Sequence, residues 1–102
     1  MAFKVIKIID GETIQVQPNW EWTAPDGENL VGDTLKINGY KIQNIDMHSN
    51  YATDKLKTLL IDKIVVLKNP KRLKNENTKI SCSVFINDID VAYYFPEYRD
   101  SI

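Results

Sequence analysis

The chain has 102 residues, a length typical of one domain with one hydrophobic core. Thirteen basic and fourteen acidic side chains give a net charge of -1, which argues against a general affinity for nucleic acid. The single cysteine, Cys82, excludes an internal disulfide and gives no support for a cysteine-based zinc site, and we expect a cytoplasmic protein without a membrane-spanning segment.

The segment 4–17, KVIKIIDGETIQVQ, predicts a β-hairpin. Apolar residues run up to Asp10 and Gly11, and Ile14 and Val16 then alternate with polar residues. Asp-Gly is a common signal for a short hairpin, and we assign Gly11 to a turn position that needs a positive φ.

Residues 18–32, PNWEWTAPDGENLVG, are rich in turn-forming residues, which predicts a loop. Trp20 and Trp22 are two residues apart and are expected on one side of an extended segment. Large aromatic side chains usually pack, so both are expected to cover an end of a barrel. Stacking on a base or a partner is the alternative.

Alternation resumes at residues 33–40 and predicts a third strand that bends at Gly39. A polar connector follows. Within it, Ser49 or Asn50 is expected to cap an amphipathic helix of about three turns that begins at Tyr51.

Residues 64–67, IVVL, form a short β-branched run that predicts a strand. The basic run 68–74 is interpreted as a solvated loop, with a phosphate-contacting loop as the alternative. Residues 79–86 then alternate cleanly, which places Cys82 on the apolar face as a small core residue rather than a nucleophile. Residues 87–88 turn the chain into a short helix or a last strand.

Three strands, one helix and two further strands thus follow one another. This order is that of the OB-fold, a five-stranded barrel in which a helix between the third and fourth strands closes one end. We therefore predict a mainly β, OB-fold barrel with one helix, as a single domain over residues 1–102. The expected core residues are Ile14, Val16, Leu35, Ile37, Leu56, Leu60, Val66, Ile80, Val84 and Ile86.

Four segments, in the same order, resemble the staphylococcal nuclease-like (thermonuclease, SNase) family. VIKIIDGETIQV resembles the family's VxxVIDGDTIxV hairpin, and GDTLKINGYK resembles its VRLxGID strand. ATDKLKTLLIDKIVVL is similar to the family's helix and following strand, and KISCSVFINDIDVA to its GRxxAxVxxxGxDVN stretch. The resemblance spans nearly all of residues 4–95. The segment with Trp20 and Trp22 resembles a bacterial branch with a Trp-rich first loop.

The resemblance also implies that the nuclease site is altered. Family members hold calcium with carboxylates, stabilise phosphate charge with two arginines and use a glutamate on the attacking water. These positions fall on Glu12 and Lys41 for the metal, on Lys36 and Lys79 for the arginines, and on Asn44 for the glutamate. A lysine at a ligand position repels calcium, lysine does not reproduce the arginine fork, and asparagine cannot take a proton.

A second alignment places Lys41 on the first arginine, Asp46 at the metal and Ser49 at the glutamate, so it restores one ligand but no general base. An enzyme alternative, a calcium-dependent phosphodiesterase with a rebuilt site, would use Asp10, Glu12 and Asp46. His48, the only histidine, is expected to be a surface residue rather than half of a metal site with Asp46.

We therefore expect a binding module without catalytic residues, metal or cofactor. It would engage single-stranded nucleic acid or a protein through the former active-site cleft. OB-fold barrels bind single strands with a basic groove and aromatic side chains. The expected binding residues are Lys36, Lys41, Lys79, Arg72, Lys74, Trp20, Trp22 and Tyr40. A small interaction or regulatory domain without a nucleic-acid role is the remaining alternative.

Overall fold

A computed structural model describes residues 2–42, 50–73 and 80–98 of the chain. The strands and the helix are β1 (Ala2–Ile8), β2 (Thr13–Thr23), β3 (Asn29–Ile37), α1 (Tyr51–Leu60), β4 (Ile64–Arg72), β5 (Ile80–Ile86) and β6 (Ile89–Asp90), followed by short 3-10 helices at Val91–Tyr94 and Pro96–Tyr98. The fold is mainly β, as the alternating patterns predict. None of the helices in these ranges has the length and apolar character needed to cross a lipid bilayer.

Five of the strands close into a barrel. β1 pairs antiparallel with β2 and β4, while β2 pairs with β3 and β4 with β5. The closing contact is parallel, between β3 and β5, and it aligns Leu35 with Ile80 and Ile37 with Cys82. With α1 between β3 and β4, this is the strand order of the OB-fold, so the predicted architecture is confirmed.

The structure corrects the predicted loop at residues 18–32. Most of these residues extend β2 and β3 into a two-stranded ribbon. Trp20 pairs with Gly32 and Trp22 pairs with Leu30 across this ribbon. Trp20, Trp22 and Leu30 therefore share one face, which supplies apolar surface to bury. Of the turn-forming residues that suggested a loop, Pro25, Asp26 and Gly27 lie at the tip, where Gly27 has a φ of 93°, while the others lie within β2 and β3.

Gly11 is a second correction. Among the described glycines, only Gly27 and Gly39 have a positive φ, so the turn between β1 and β2 does not require one at Gly11. A Cβ built on Gly11 would instead lie 2.3 Å from Ile42 Cδ1 and 2.7 Å from Ala52 Cβ. Glycine is needed here because α1 packs directly against the turn.

The predicted core is confirmed except at two positions: all of its members are buried other than Val66 and Ile86. Val65 is 1% exposed and takes the inner position of β4, where it pairs with Phe3 of β1. Val66 is consequently on the outer face. Ile86 is partly buried against the core.

The helix forms where its apolar spacing predicts it, with Ala52, Leu56 and Leu60 buried. Asn50 occupies the N-cap position, but its side chain makes no capping hydrogen bond. The alternative cap, Ser49, lies outside the described residues.

The chain turns sharply after β5, as predicted. Asn87 and Asp88 have φ values of 51° and 67°, which is typical of a tight hairpin turn. Asp90 Oδ1 then accepts a hydrogen bond from the Ala92 N–H at 2.9 Å and begins the short 3-10 helix.

Candidate binding site

The first part of the site is the place where the turn after β1 meets β3. Lys36 lies on the outer face of β3, because Leu35 and Ile37 on either side are buried in the barrel. Its ladder partner is Thr13, one residue after Glu12. This pairing brings Lys36 Nζ to 3.5 Å from Glu12 Oε1, so each charge is partly compensated by the other.

The carboxylates of this turn are engaged with their own surroundings. Asp10 Oδ1 accepts a hydrogen bond from the Glu12 N–H at 2.8 Å, which stabilises the turn. The part of the chain that the structure describes contains no group of three or more His, Cys, Asp or Glu side chains placed to hold a metal ion. Asp46, the third carboxylate of the calcium alternative, lies outside it. Calcium takes about six to eight oxygen ligands, so Asp10 and Glu12 do not form a calcium site by themselves.

Tyr40 anchors the segment after β3 and is not a surface platform, which corrects its expected role in stacking on a ligand. Its side chain is 7% exposed and stacks on Phe95 with ring centroids 4.5 Å apart. Its hydroxyl donates a hydrogen bond to the Gly11 carbonyl at 2.6 Å. Burial, with the nearby charges of Glu12 and Asp10, raises the pKa of Tyr40 above its ordinary value.

The two tryptophans of the ribbon differ in exposure. Trp20 is 2% exposed, and its indole N–H donates to the Thr34 carbonyl at 3.1 Å. The expected packing of Trp20 is therefore confirmed, and a ligand cannot stack on its ring. Trp22 is only partly buried against the core and keeps an accessible surface.

Arg72 is the last residue of β4, so residues 68–72 of the basic run belong to a strand, which corrects their interpretation as a loop. Its guanidinium Nη2 is 2.8 Å from Glu28 Oε1 and 3.2 Å from Asp26 Oδ1, both at the ribbon tip. A hydrogen bond from the Glu28 N–H, with a smaller effect of Arg72, holds the pKa of Asp26 below its ordinary value. The charge of Arg72 is thus directed to the ribbon tip, where two carboxylates share it.

A row of side chains across three neighbouring strands was not predicted. In the barrel register Lys36 of β3 is aligned with Ser81 of β5, and Ser81 is aligned with Lys71 of β4. The two lysines therefore flank Ser81, each about 4.8 Å away in strand spacing. Lys68, three residues before Lys71 in β4, is aligned with Ser83, two residues after Ser81 in β5. We call this outer face of β3, β5 and β4 the basic wall.

Aromatic and hydroxyl groups complete the basic wall. Lys68 Nζ lies 4.7 Å from the centroid of the Phe85 ring, a cation–π contact. Ser81 donates a hydrogen bond to Asn38 Oδ1. The register that joins these residues depends on an irregularity of β4 between Lys68 and Lys71, at which Asn69 has a φ of 55°. This irregularity is a β-bulge, and no sequence pattern predicts it. The alternation of β5 does predict that its serines lie on the outer face.

Charge is divided between the basic wall and the ribbon. Residues 18–33 contain four acidic side chains and no lysine or arginine, whereas residues 64–74 contain four basic side chains and no aspartate or glutamate. The net charge of -1 therefore conceals two regions of opposite sign. A local attraction for phosphate is therefore compatible with a chain that has no overall positive charge.

Two of the remaining candidate residues, Lys41 and Cys82, lie in the part of the chain that the structure describes. Lys41 is exposed after β3, and its backbone N–H donates to the Tyr98 carbonyl at 3.1 Å. Cys82 is a core residue, as predicted, and burial raises the pKa of its thiol to about 12. The other residues singled out by the sequence lie outside the described residues: Asn44, Asp46, His48, Lys74 and Lys79.

Comparison of the chain with known protein families, with curated proteins and with solved structures gives no match. Function is therefore inferred from the chemistry of the site itself.

Proposed function

We propose that this chain is a binding module for single-stranded nucleic acid, built on a staphylococcal nuclease-like OB-fold that lacks nuclease activity. The observation that carries the proposal is the row of Lys36, Ser81 and Lys71 across three paired strands. Ser81 is 5% exposed and its hydroxyl is bonded to Asn38, so it separates the two lysines without itself being available to a ligand. The ammonium groups of Lys36 and Lys71, held on either side of it, are suited to phosphates of one strand.

The basic wall is also rigid, which favours binding. Leu35, Ile80 and Cys82 are buried directly behind Lys36 and Ser81, and each is at most 2% exposed. A packed barrel therefore fixes the backbone from which the lysines extend. Little ordering of the main chain accompanies binding, so less free energy is lost when a strand is bound.

The residues of the turn support a role in binding more than a calcium-dependent hydrolysis. Glu12 faces the ammonium group of Lys36, and Lys41 stands exposed where the family resemblance expects a metal carboxylate. A positively charged neighbour disfavours a second cation. We expect no cleavage of single-stranded DNA or RNA in millimolar calcium. Cleavage that survives purification and is abolished by Glu12→Ala would favour the phosphodiesterase instead.

The proposal is tested by the salt dependence of binding to a fluorescent oligonucleotide. Contacts to three or four phosphates predict that log affinity falls with log salt at a slope of about -2 to -3. Lys36→Ala/Lys71→Ala should make this slope less negative by about 1.4, since each lost phosphate contact contributes about 0.7. Lys57→Ala/Lys63→Ala removes the same charge from exposed positions away from the basic wall and is the matched control.

Three results would contradict the proposal. The native chain would fail to bind at low salt, the two double variants would weaken binding equally, or neither would weaken it. In the first case, the acidic ribbon would favour a positively charged protein partner instead.

A further inference from the structure

Two neighbouring pockets lie between the ribbon and the end of β4. One, of about 340 Å³, is lined largely by apolar side chains that include Trp20, Trp22, Leu67 and Pro70. The other, of about 400 Å³, lies towards the ribbon tip and is lined by Trp22, Pro70 and Lys71 among others. Trp22 and Pro70 belong to both pockets, so the two form one groove with these residues at its centre.

The bulge in β4 explains how the groove and the basic wall meet. The bulge places Lys71 opposite Ser81 on the basic wall, while Pro70 remains beside Trp22. Proline has no N–H to donate to a strand partner and is accommodated at such an irregularity. As a result Lys71 borders the groove and also belongs to the row with Lys36.

Trp22 has the environment of a stacking platform. It shares the face of the ribbon that carries Trp20 and Leu30, but it is nearer the tip and is only partly covered. The acidic side chain that lines the same pocket, Asp26, is paired with Arg72 at 3.2 Å. Arg72 also pairs with Glu28, and Glu21 lines the adjoining pocket, so the negative charge beside the ring is compensated only in part. The pairing of Asp26 still lowers the repulsion of a phosphate held by Lys71.

We infer that one nucleobase of the bound strand stacks on Trp22 beside Pro70, while the adjoining phosphate contacts Lys71. This inference rests on the proposed function and extends it to a base contact. A nucleobase is the favoured occupant, because the groove combines a flat aromatic surface with a cation at its edge that continues into the basic wall. An apolar side chain of a protein would use the aromatic surface but would leave Lys71 without a counter-charge.

The test compares two probes of about 12 nucleotides, a length within the site size of an OB-fold. One is oligo(dT) and the other is an abasic oligomer with the same sugar-phosphate backbone. Stacking of one base predicts that the native chain binds oligo(dT) roughly 5- to 150-fold more tightly than the abasic oligomer. The difference should persist in Trp22→Tyr and disappear in Trp22→Leu, which keeps apolar bulk but has no aromatic face.

Val31→Ala is the matched control, because Val31 is 49% exposed and belongs to the same ribbon at an alternate position to Leu30. It should leave both affinities unchanged. Fluorescence provides a second measurement: oligo(dT) should quench the native emission but not that of Trp22→Tyr, whose remaining Trp20 is 2% exposed.

Equal affinity for the two oligomers, or oligo(dT) binding by Trp22→Leu as tight as by the native chain, would overturn the inference. The proposed function would survive either result if Lys36→Ala/Lys71→Ala still weakens binding and flattens the salt dependence. Failure of the native chain to bind oligo(dT) at low salt would overturn both.

Discussion

The two ends of the barrel are built differently. At one end, which we call the helix end, α1 packs against the turn so tightly that a Cβ on Gly11 would lie 2.7 Å from Ala52 Cβ. At the other, the ribbon end, Trp20 is the buried anchor, and pockets of about 340 and 400 Å³ remain beside Trp22. Free volume and an accessible aromatic ring therefore occur where the packing is least complete.

The difference between the two ends separates burial, by which an aromatic ring stabilises the fold, from exposure, by which it can contact a ligand. Tyr40 at the helix end is buried, with its hydroxyl bonded to Gly11, so the ring stabilises the fold and offers no surface to a ligand. Trp22 at the ribbon end contributes less burial and retains an accessible face. An aromatic residue near a cleft is thus informative about binding only when its exposure is known.

The largest effect is expected at the anchor of the ribbon. Trp20→Ala removes a ring that is 2% exposed and the hydrogen bond to Thr34, so it should lower the free energy of unfolding by about 3–5 kcal/mol. Urea unfolding followed by circular dichroism measures this loss. Trp22→Ala is the matched control and should have a clearly smaller effect, since its ring is only partly covered. Equal losses would remove the distinction between an anchor and a platform.

An effect of intermediate size is expected at the crowded turn. Gly11→Ala should destabilise the fold by about 1–3 kcal/mol, because the added methyl group overlaps Ile42 and Ala52. Gly11→Asn distinguishes the cause. If space is limiting, the larger asparagine is worse than alanine, whereas a requirement for positive φ would make asparagine the better residue. A more stable asparagine variant would therefore contradict the packing account.

The helix end was the easier of the two to predict. Alternation placed Leu35 and Ile37 inward, and helical spacing placed Leu56 and Leu60 against the barrel, because each pattern depends on neighbours within one element. Gly11 was found but given the wrong reason, since its constraint comes from Ala52, far away in the sequence. Local pattern identifies such a residue without revealing what it contacts.

The ribbon end was hidden by its composition and by one irregularity. Prolines and glycines in residues 18–32 suggested a loop, although Trp20, Trp22 and Leu30 already had the spacing of a strand pair. The continuous apolar run of β4 has no alternation, so Val65 could not be distinguished from Val66 as the inner residue. Which outer residues meet across β3, β5 and β4 depends on register, and register depends on the bulge beside Lys71.

The smallest effect is expected where charge holds the ribbon tip to β4. Arg72→Met keeps an apolar stem but removes the ion pairs with Asp26 and Glu28, all of which are substantially solvent-exposed. Such pairs contribute little, so the loss of stability at neutral pH should be smaller than that of Gly11→Ala.

The variant should instead be recognised by the pH dependence of its stability. A carboxyl whose pKa is lowered by folding stabilises the native state above its unfolded pKa, and this contribution is lost as the pH falls through the folded value. For Asp26 that loss begins near 3.8, the ordinary value, and continues below it. The native chain should therefore lose more stability than Arg72→Met on acidification through this range, measured by urea unfolding at a series of pH values. Part of the dependence will remain in the variant, because the hydrogen bond from the Glu28 N–H to Asp26 does not involve Arg72. Parallel curves for the two proteins would show that Arg72 does not hold the tip, and the ribbon end would then depend on Trp20 alone.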